Sequence, residues 1–265
     1  MVPMSQILAE RKLTDHFVSF QATQDWGQGR TCFGGFLSAL ALVAMRDSFS
    51  IDTPLRALQT NFVGPVPPGE VVCKSRLLRQ GKNVTQIQCE IFSDEVVCGS
   101  VIGVFGSSRA TQLPSMSVPY ARPEKTVDQC DPLPFIDGVT PQFLQHIHMK
   151  WAEGSFPYTN KGTWDSKIYL RTPDEAISPE VQIVMLSDGP PTPALSFFNG
   201  PTMASSVSWA LELPPLPLNQ INEGWFQIDM QVIGAAEGYT NLRSTLWTPD
   251  GKLASLGSQV VAVFG

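Results

Sequence analysis

Histidine and charge are what this sequence has least of. Its 265 residues include three histidines, His16, His146 and His148. His146-Ile147-His148 would set two of them on one face of a strand, but no third ligand accompanies them, so no metal site is expected. The five cysteines (Cys32, Cys73, Cys89, Cys98, Cys130) are odd in number and include no CxxC pair. That argues against a disulfide framework and a zinc knuckle and suits a reducing cytoplasm. No GxSxG elbow occurs, which speaks against an α/β-type serine hydrolase. Gly27-Gln28-Gly29 lacks the third glycine of a dinucleotide fingerprint, and no cofactor is expected. Charged residues make up 16%, against ~25% in typical domains. The net charge of −6 and pI near 5.1 leave no general basic face for nucleic acid. So little charge predicts that part of the surface is covered in a homo-oligomer. No run of about 18 apolar residues is present to span a membrane.

Apolar material, by contrast, is plentiful at 43%, and the length suits two domains of about 130 residues each. Residues 34–48 place Phe36, Leu37, Leu40, Val43 and Ala44 at helical spacing, with alanines between, after Phe33-Gly34-Gly35. This predicts a buried, almost wholly apolar helix. Strands follow at 55–63, 71–78, 84–92 and 96–105, separated by Gly/Pro or acidic turns. The same grammar returns later. Ser178-Pro179-Glu180 supplies a capping serine, a proline at the first helical position and an acid in the first turn. Strands then follow at 204–213, 225–233, 238–247 and 253–264. Residues 83–92 map onto 238–247 with a constant offset, and Val-Phe-Gly ends the first strand run at 104–106 and the second at 263–265. The expectation is an α+β chain of two repeated units, 1–110 and 166–265, joined by a linker and docking segment at 111–165.

Three segments carry a family resemblance. Gly29-Arg30-Thr31-Cys32-Phe33-Gly34-Gly35 leads into the alanine- and leucine-rich helix. Leu55 to Phe62 runs into Pro65, Pro67 and Gly69, and Leu78-Arg79-Gln80-Gly81-Lys82 follows. Together they resemble the TesB-like acyl-CoA thioesterases. The resemblance implies a tandem hotdog fold: each half an antiparallel sheet wrapped around a central helix, the halves forming a pseudo-dimer with a continuous sheet. It also implies a site made of an Asp at the end of the second helix, a hydroxyl residue on the next strand and a Gln on the last strand. Asp188, Ser206 and Gln259 match those positions. Ser205 is an alternative to Ser206, on the opposite face of the strand. The family's frequent Asp-His pair after the hydroxyl is absent, Val207-Ser208-Trp209 standing there instead, and the helix ends in an unusual Gly189-Pro190-Pro191-Thr192-Pro193 run.

Thioester hydrolysis needs a positioned water, a base and donors for the developing oxyanion. In this reading Asp188 is the base, Ser206 and Gln259 hold the water, and no acyl-enzyme forms. The Phe33-Gly34-Gly35 turn binds substrate and offers backbone N–H groups at a helix N-terminus. The first half has no matching set, since the counterpart of Gln259 would be Ser100 or Ile102. Leu40, Val43, Met185 and Leu186 are candidates for the acyl tunnel, and Arg30, Arg79 and Lys82 for coenzyme A phosphates. Two other readings compete on the same fold: a non-catalytic acyl-CoA or lipid binder, and a hydratase or dehydratase of acyl thioesters.

Overall fold

The computed structural model describes residues 1–216, 221 and 223–264. The chain opens with a short helix α1 (Met4–Ala9), then β1 (Lys12–Leu13), β2 (Val18–Ala22) and a small ribbon of β3 (Gly27–Gln28) and β4 (Thr31–Cys32). Next come α2 (Gly34–Phe49), β5 (Leu55–Phe62), β6 (Gly69–Gln80), β7 (Val84–Ser93) and β8 (Val96–Gly106). The connecting region holds β9 (Asp131–Pro132) and β10 (His148–Glu153). The chain then repeats the pattern with β11 (Asp165–Arg171), α3 (Pro179–Ser187), β12 (Met203–Glu212), β13 (Phe226–Ala236), β14 (Tyr239–Trp247) and β15 (Leu253–Phe264).

Thirteen strands form one sheet, in the order β1-β2-β6-β7-β8-β5-β12-β15-β14-β13-β11-β10-β9, and every pairing in it is antiparallel. Strand, helix and four further strands occur twice, and the two sets meet where β5 pairs with β12, Asn61 opposite Ser208 and Ala57 opposite Glu212. Tight hairpins keep the strands long. Asp94 and Glu95 both take positive φ between β7 and β8, as do Glu237 and Gly238 between β13 and β14. Two successive left-handed residues match the twist of a two-residue hairpin.

The helices form as their sequences dictate. α2 is apolar all round and buries Gly35 through Leu42, Ala44 and Met45, as expected of a helix enclosed on every side. In α3 the Ser178 hydroxyl accepts the Val181 N–H, with Pro179 in the first turn. The two helices lie side by side and antiparallel. Gly34 and Gly35 at the start of α2 approach Met185 and Asp188 at the end of α3, while Arg46 near the end of α2 bonds Glu180 at the start of α3.

Two regions differ from the sequence expectation. The segment expected to act as a linker contributes β9 and β10, which pair with each other and onto β11, and Tyr120 donates from it to the Gln227 side chain. The region before residue 34, where no element is expected, also joins the fold: β2 pairs with β6, and Met4 and Trp26 are buried. No helix among the described residues is long and apolar enough to cross a membrane.

Candidate active site

The end of α3, β12 and β15 bring three side chains together. Gln259 Nε2 donates to Asp188 Oδ1 at 2.7 Å and to Ser206 Oγ at 2.8 Å. Strand register explains why these residues meet. Trp209 stands opposite Gln259, and Ser206 opposite Val261. Gln259 and Val261 are two apart and share a face of β15. Ser206 and Trp209, three apart, would normally face opposite ways. A bulge between Ser206 and Ser208 takes up one residue of β12 and turns Ser206 inward beside Gln259. The bulge therefore selects Ser206, and Ser205 is exposed.

Asp188 has no cationic partner among the described residues. Surrounding protein pushes its carboxyl up to about 7, against the opposing hydrogen bonds from Gln259 and the Gly35 N–H. Part of the residue remains open to solvent. A carboxylate that takes up and releases a proton near neutrality suits general base chemistry. The glycines opposite permit the arrangement by being small. A methyl group on Gly34 would sit 2.7 Å from Asp188 Oδ2 and 2.9 Å from the Phe62 ring, and one on Gly35 would meet the Phe33 ring at 2.6 Å. Only bare backbone lets the N-terminus of α2, with its unpaired N–H groups and positive field, come this close to the carboxylate.

Family models corroborate the site's setting. Residues 22–106 match the acyl-CoA thioesterase N-terminal domain, and residues 127–263 match the acyl-CoA thioesterase C-terminal domain. The chain belongs to this thioesterase family, in its TesB-like double-hotdog form. Among solved structures, the thioesterase is similar in fold to a hot-dog protein from Alicyclobacillus acidocaldarius (TM-score 0.86, 16% identity, covering 100% of this chain and 99% of that one). It is likewise similar to the tesB protein of Mycobacterium avium subs paratuberculosis (TM-score 0.77, 14% identity, 99% and 98% covered). A third likeness is to the acyl-CoA thioesterase II TesB2 of Mycobacterium marinum (TM-score 0.70, 13% identity, 98% of each chain covered). No curated protein matches the sequence.

The thioesterase places its other expected residues differently. Phe33 is 1% exposed and stacks on Phe143 with ring centroids 4.2 Å apart. Its N–H donates to the Trp26 carbonyl, so this donor is already engaged. Gly35 N–H is directed at Asp188, which leaves Gly34 as the N–H of the turn with no acceptor among the described residues. His146 and His148 do not share a strand face. His146 closes a turn at Gln142–Gln145, stacks on Trp26 at 3.9 Å and bonds Asp25, while His148 is exposed at the start of β10. The aromatic surface of Trp26 draws His146 away from the strand. Among the described residues no group of three or more ligand-type side chains is placed to hold a metal.

Ser100 and Ile102 both face away from the helices. The inward positions of β8 are Val101 and Gly103, opposite buried Thr60 and Leu58, and Gly103 packs so closely on Met45 that a methyl there would lie 2.6 Å from the sulfur. Leu40, Met185 and Leu186 are fully buried. Arg30, Arg79 and Lys82 are exposed. Phe62, which walls the Gly34 side of the site, has no sequence signature that marks it as a site residue.

Proposed function

We propose that this thioesterase hydrolyses acyl-CoA to free acid and coenzyme A by direct attack of water, with Asp188, Ser206 and Gln259 as its catalytic residues. The observation that carries the reading is the Gln259 amide bridging Asp188 and Ser206 at 2.7 and 2.8 Å. The amide uses both N–H donors on these partners, which fixes the carboxylate and makes Ser206 Oγ an acceptor. The serine proton is then free to point at substrate or water. Asp188 takes a proton from water as the oxygen bonds to the thioester carbon. The oxyanion develops near the Gly34 N–H and the positive end of α2. As the C–S bond breaks, the thiolate leaves and recovers the proton through Asp188. Ser206 stays uncharged throughout and needs no acyl-enzyme.

Each half, in this reading, is a hotdog wrapped around its own helix (1–110 around α2, 166–265 around α3), and the halves act as a pseudo-dimer with one working site. The hydratase alternative loses ground because the partners of Asp188 are an amide and a backbone N–H, while His146 is paired with Asp25. The enzyme would serve lipid metabolism in the cytoplasm as a homo-oligomer.

Release of free thiol from acyl-CoAs of two to eighteen carbons, together with aromatic and branched acyl groups, tests the proposal. Turnover by the wild type that disappears in Asp188→Asn is the expected result. Acyl-CoA binding without turnover by the wild type on any substrate would sink the reading in favour of a binding protein.

A further inference from the structure

A second polar group lies on the same inner wall as the proposed catalytic set. Thr240 on β14 stands opposite Val261 on β15, and Val261 stands opposite Ser206 on β12. Residues directly opposite across an antiparallel ladder share a face, so Ser206, Val261 and Thr240 form one row over three strands. Leu242 and Gln259 form part of the next row. Thr240 is 4% exposed, and its hydroxyl has no hydrogen-bond partner among the described residues. Buried hydroxyls are seldom left so, because desolvation without a replacement bond is costly. Thr23, Ser75, Trp151 and Ser166 also bury a polar atom without a partner. Ser75 shares the row of Gln259 but lies five strands away from it, and Thr23, Trp151 and Ser166 stand in no row with a member of the set.

The wall between the two hydroxyl groups is apolar. Val261 and Leu242 are 4% and 3% exposed and offer only hydrocarbon. Ser206 and Thr240 are separated by two strand spacings, about 10 Å. A matching ligand has its thioester at Ser206, a hydrocarbon stretch along Val261 and Leu242, and an oxygen several bonds away at Thr240. We propose that Thr240 is a specificity-determining residue, hydrogen-bonded to an oxygen on the substrate's acyl chain, so that the preferred substrates are acyl-CoAs oxygenated at a distance from the thioester. This rests on the thioesterase reading above. It implies that the reaction supplying the substrate installs or retains a hydroxyl or carbonyl group along the chain.

The test is the ratio of kcat/KM for ω-hydroxyhexanoyl-CoA to that for hexanoyl-CoA in the wild type, Thr240→Val and Thr240→Ser. Valine keeps the shape and removes the hydroxyl; serine keeps the hydroxyl. The wild-type ratio should exceed one, fall about tenfold with valine, as loss of one hydrogen bond implies, and be largely kept by serine. The melting temperature of Thr240→Val without ligand should be no lower than wild type, since no internal bond is lost. A ratio that valine leaves unchanged, or one at or below unity in the wild type, overturns the inference and leaves the thioesterase reading standing. A lowered melting temperature with an unmoved ratio assigns Thr240 to the fold instead. A chain that releases thiol from none of the acyl-CoAs overturns both.

Discussion

The two ends of the α2–α3 pair are built alike and behave differently. Each joins the start of one helix to the end of the other and holds one carboxylate between them. At the α3 N-terminus Glu180 is 5% exposed and is met by Arg46 at 2.6 Å and by the Leu55 N–H at 2.9 Å. The same guanidinium bonds the carbonyls of Ile51 and Thr53 and lies over the Phe105 ring. That carboxylate is neutralised and locked, and it ties α2, α3, β5 and β8 together. At the α2 N-terminus Asp188 has an amide and a backbone N–H but no cation, and its proton affinity rises. The guanidinium makes a strut of Glu180; burial with no cation beside it raises the proton affinity of Asp188. The neighbouring strands follow the same division. β15 presents Gln259, while β8 at its inward positions offers Val101 and Gly103, with Met45 pressed against the glycine.

Exchanging these properties should break the comparison, and the largest effect is expected at Asp188. Asp188→Asn should lower kcat by about a thousandfold, within the usual range for a lost general base. Its melting temperature should match or exceed wild type, because the buried charge is gone and the Gln259 bond can remain. Arg46→Met is the reverse case. It leaves Glu180 buried and unpaired, for a loss of about 3 kcal/mol in denaturant or thermal unfolding, with kcat/KM within about twofold of wild type. If Arg46→Met abolished turnover while the fold held, the two ends would not be independent. Gly34→Ala probes the close approach itself. A methyl 2.7 Å from Asp188 Oδ2 forces a shift, and a misplacement of about an ångström can cost about a hundredfold in rate, seen in kcat more than in stability.

Much of this division could be read from the sequence in part. The apolar helix at 34–48 and the strands after it follow from periodicity, because a buried helix and a half-buried strand each impose their own spacing. Ser178-Pro179-Glu180 announced the start of α3. Asp188 and Gln259 became visible through a resemblance, since a single Asp before Gly or a single Gln in an apolar strand has no signature of its own. The resemblance favours Ser206 with Ser205 as the alternative, and the residues themselves do not decide between the two. The choice depends on a bulge one residue long, and nothing in Ser205-Ser206-Val207-Ser208 marks which residue the ladder skips. Arg46 and Glu180 are 134 positions apart, so no local pattern could pair them. Phe33 looked like a substrate contact because it precedes two glycines; its stacking on Phe143, 110 residues later, makes it core.

The comparison is sharpened most finely by pH. In the proposed mechanism Asp188 must be ionised to accept a proton from water, so kcat should rise with pH and reach half its plateau near 7, where burial has placed the carboxyl. Stability should run the other way. An ordinary aspartate titrates near 3.8, and in the fold Asp188 holds its proton up to about 7. Between those values the folded chain binds more protons at this site than the unfolded chain does. Stability from this group is therefore present at low pH and is lost as pH rises through about 7. Four measurements test this: a pH–rate profile and melting curves across pH for the wild type, the same melting curves for Asp188→Asn, and a pH–rate profile for Gln259→Met. Asparagine should remove the falling stability component. Methionine removes a bond that favours the ionised carboxyl, so the rising limb of any residual activity should move to higher pH. A limb that stays in place when Gln259 is replaced would mean that Asp188 is not the group being titrated, and would return it to the structural role that Glu180 plays at the other end.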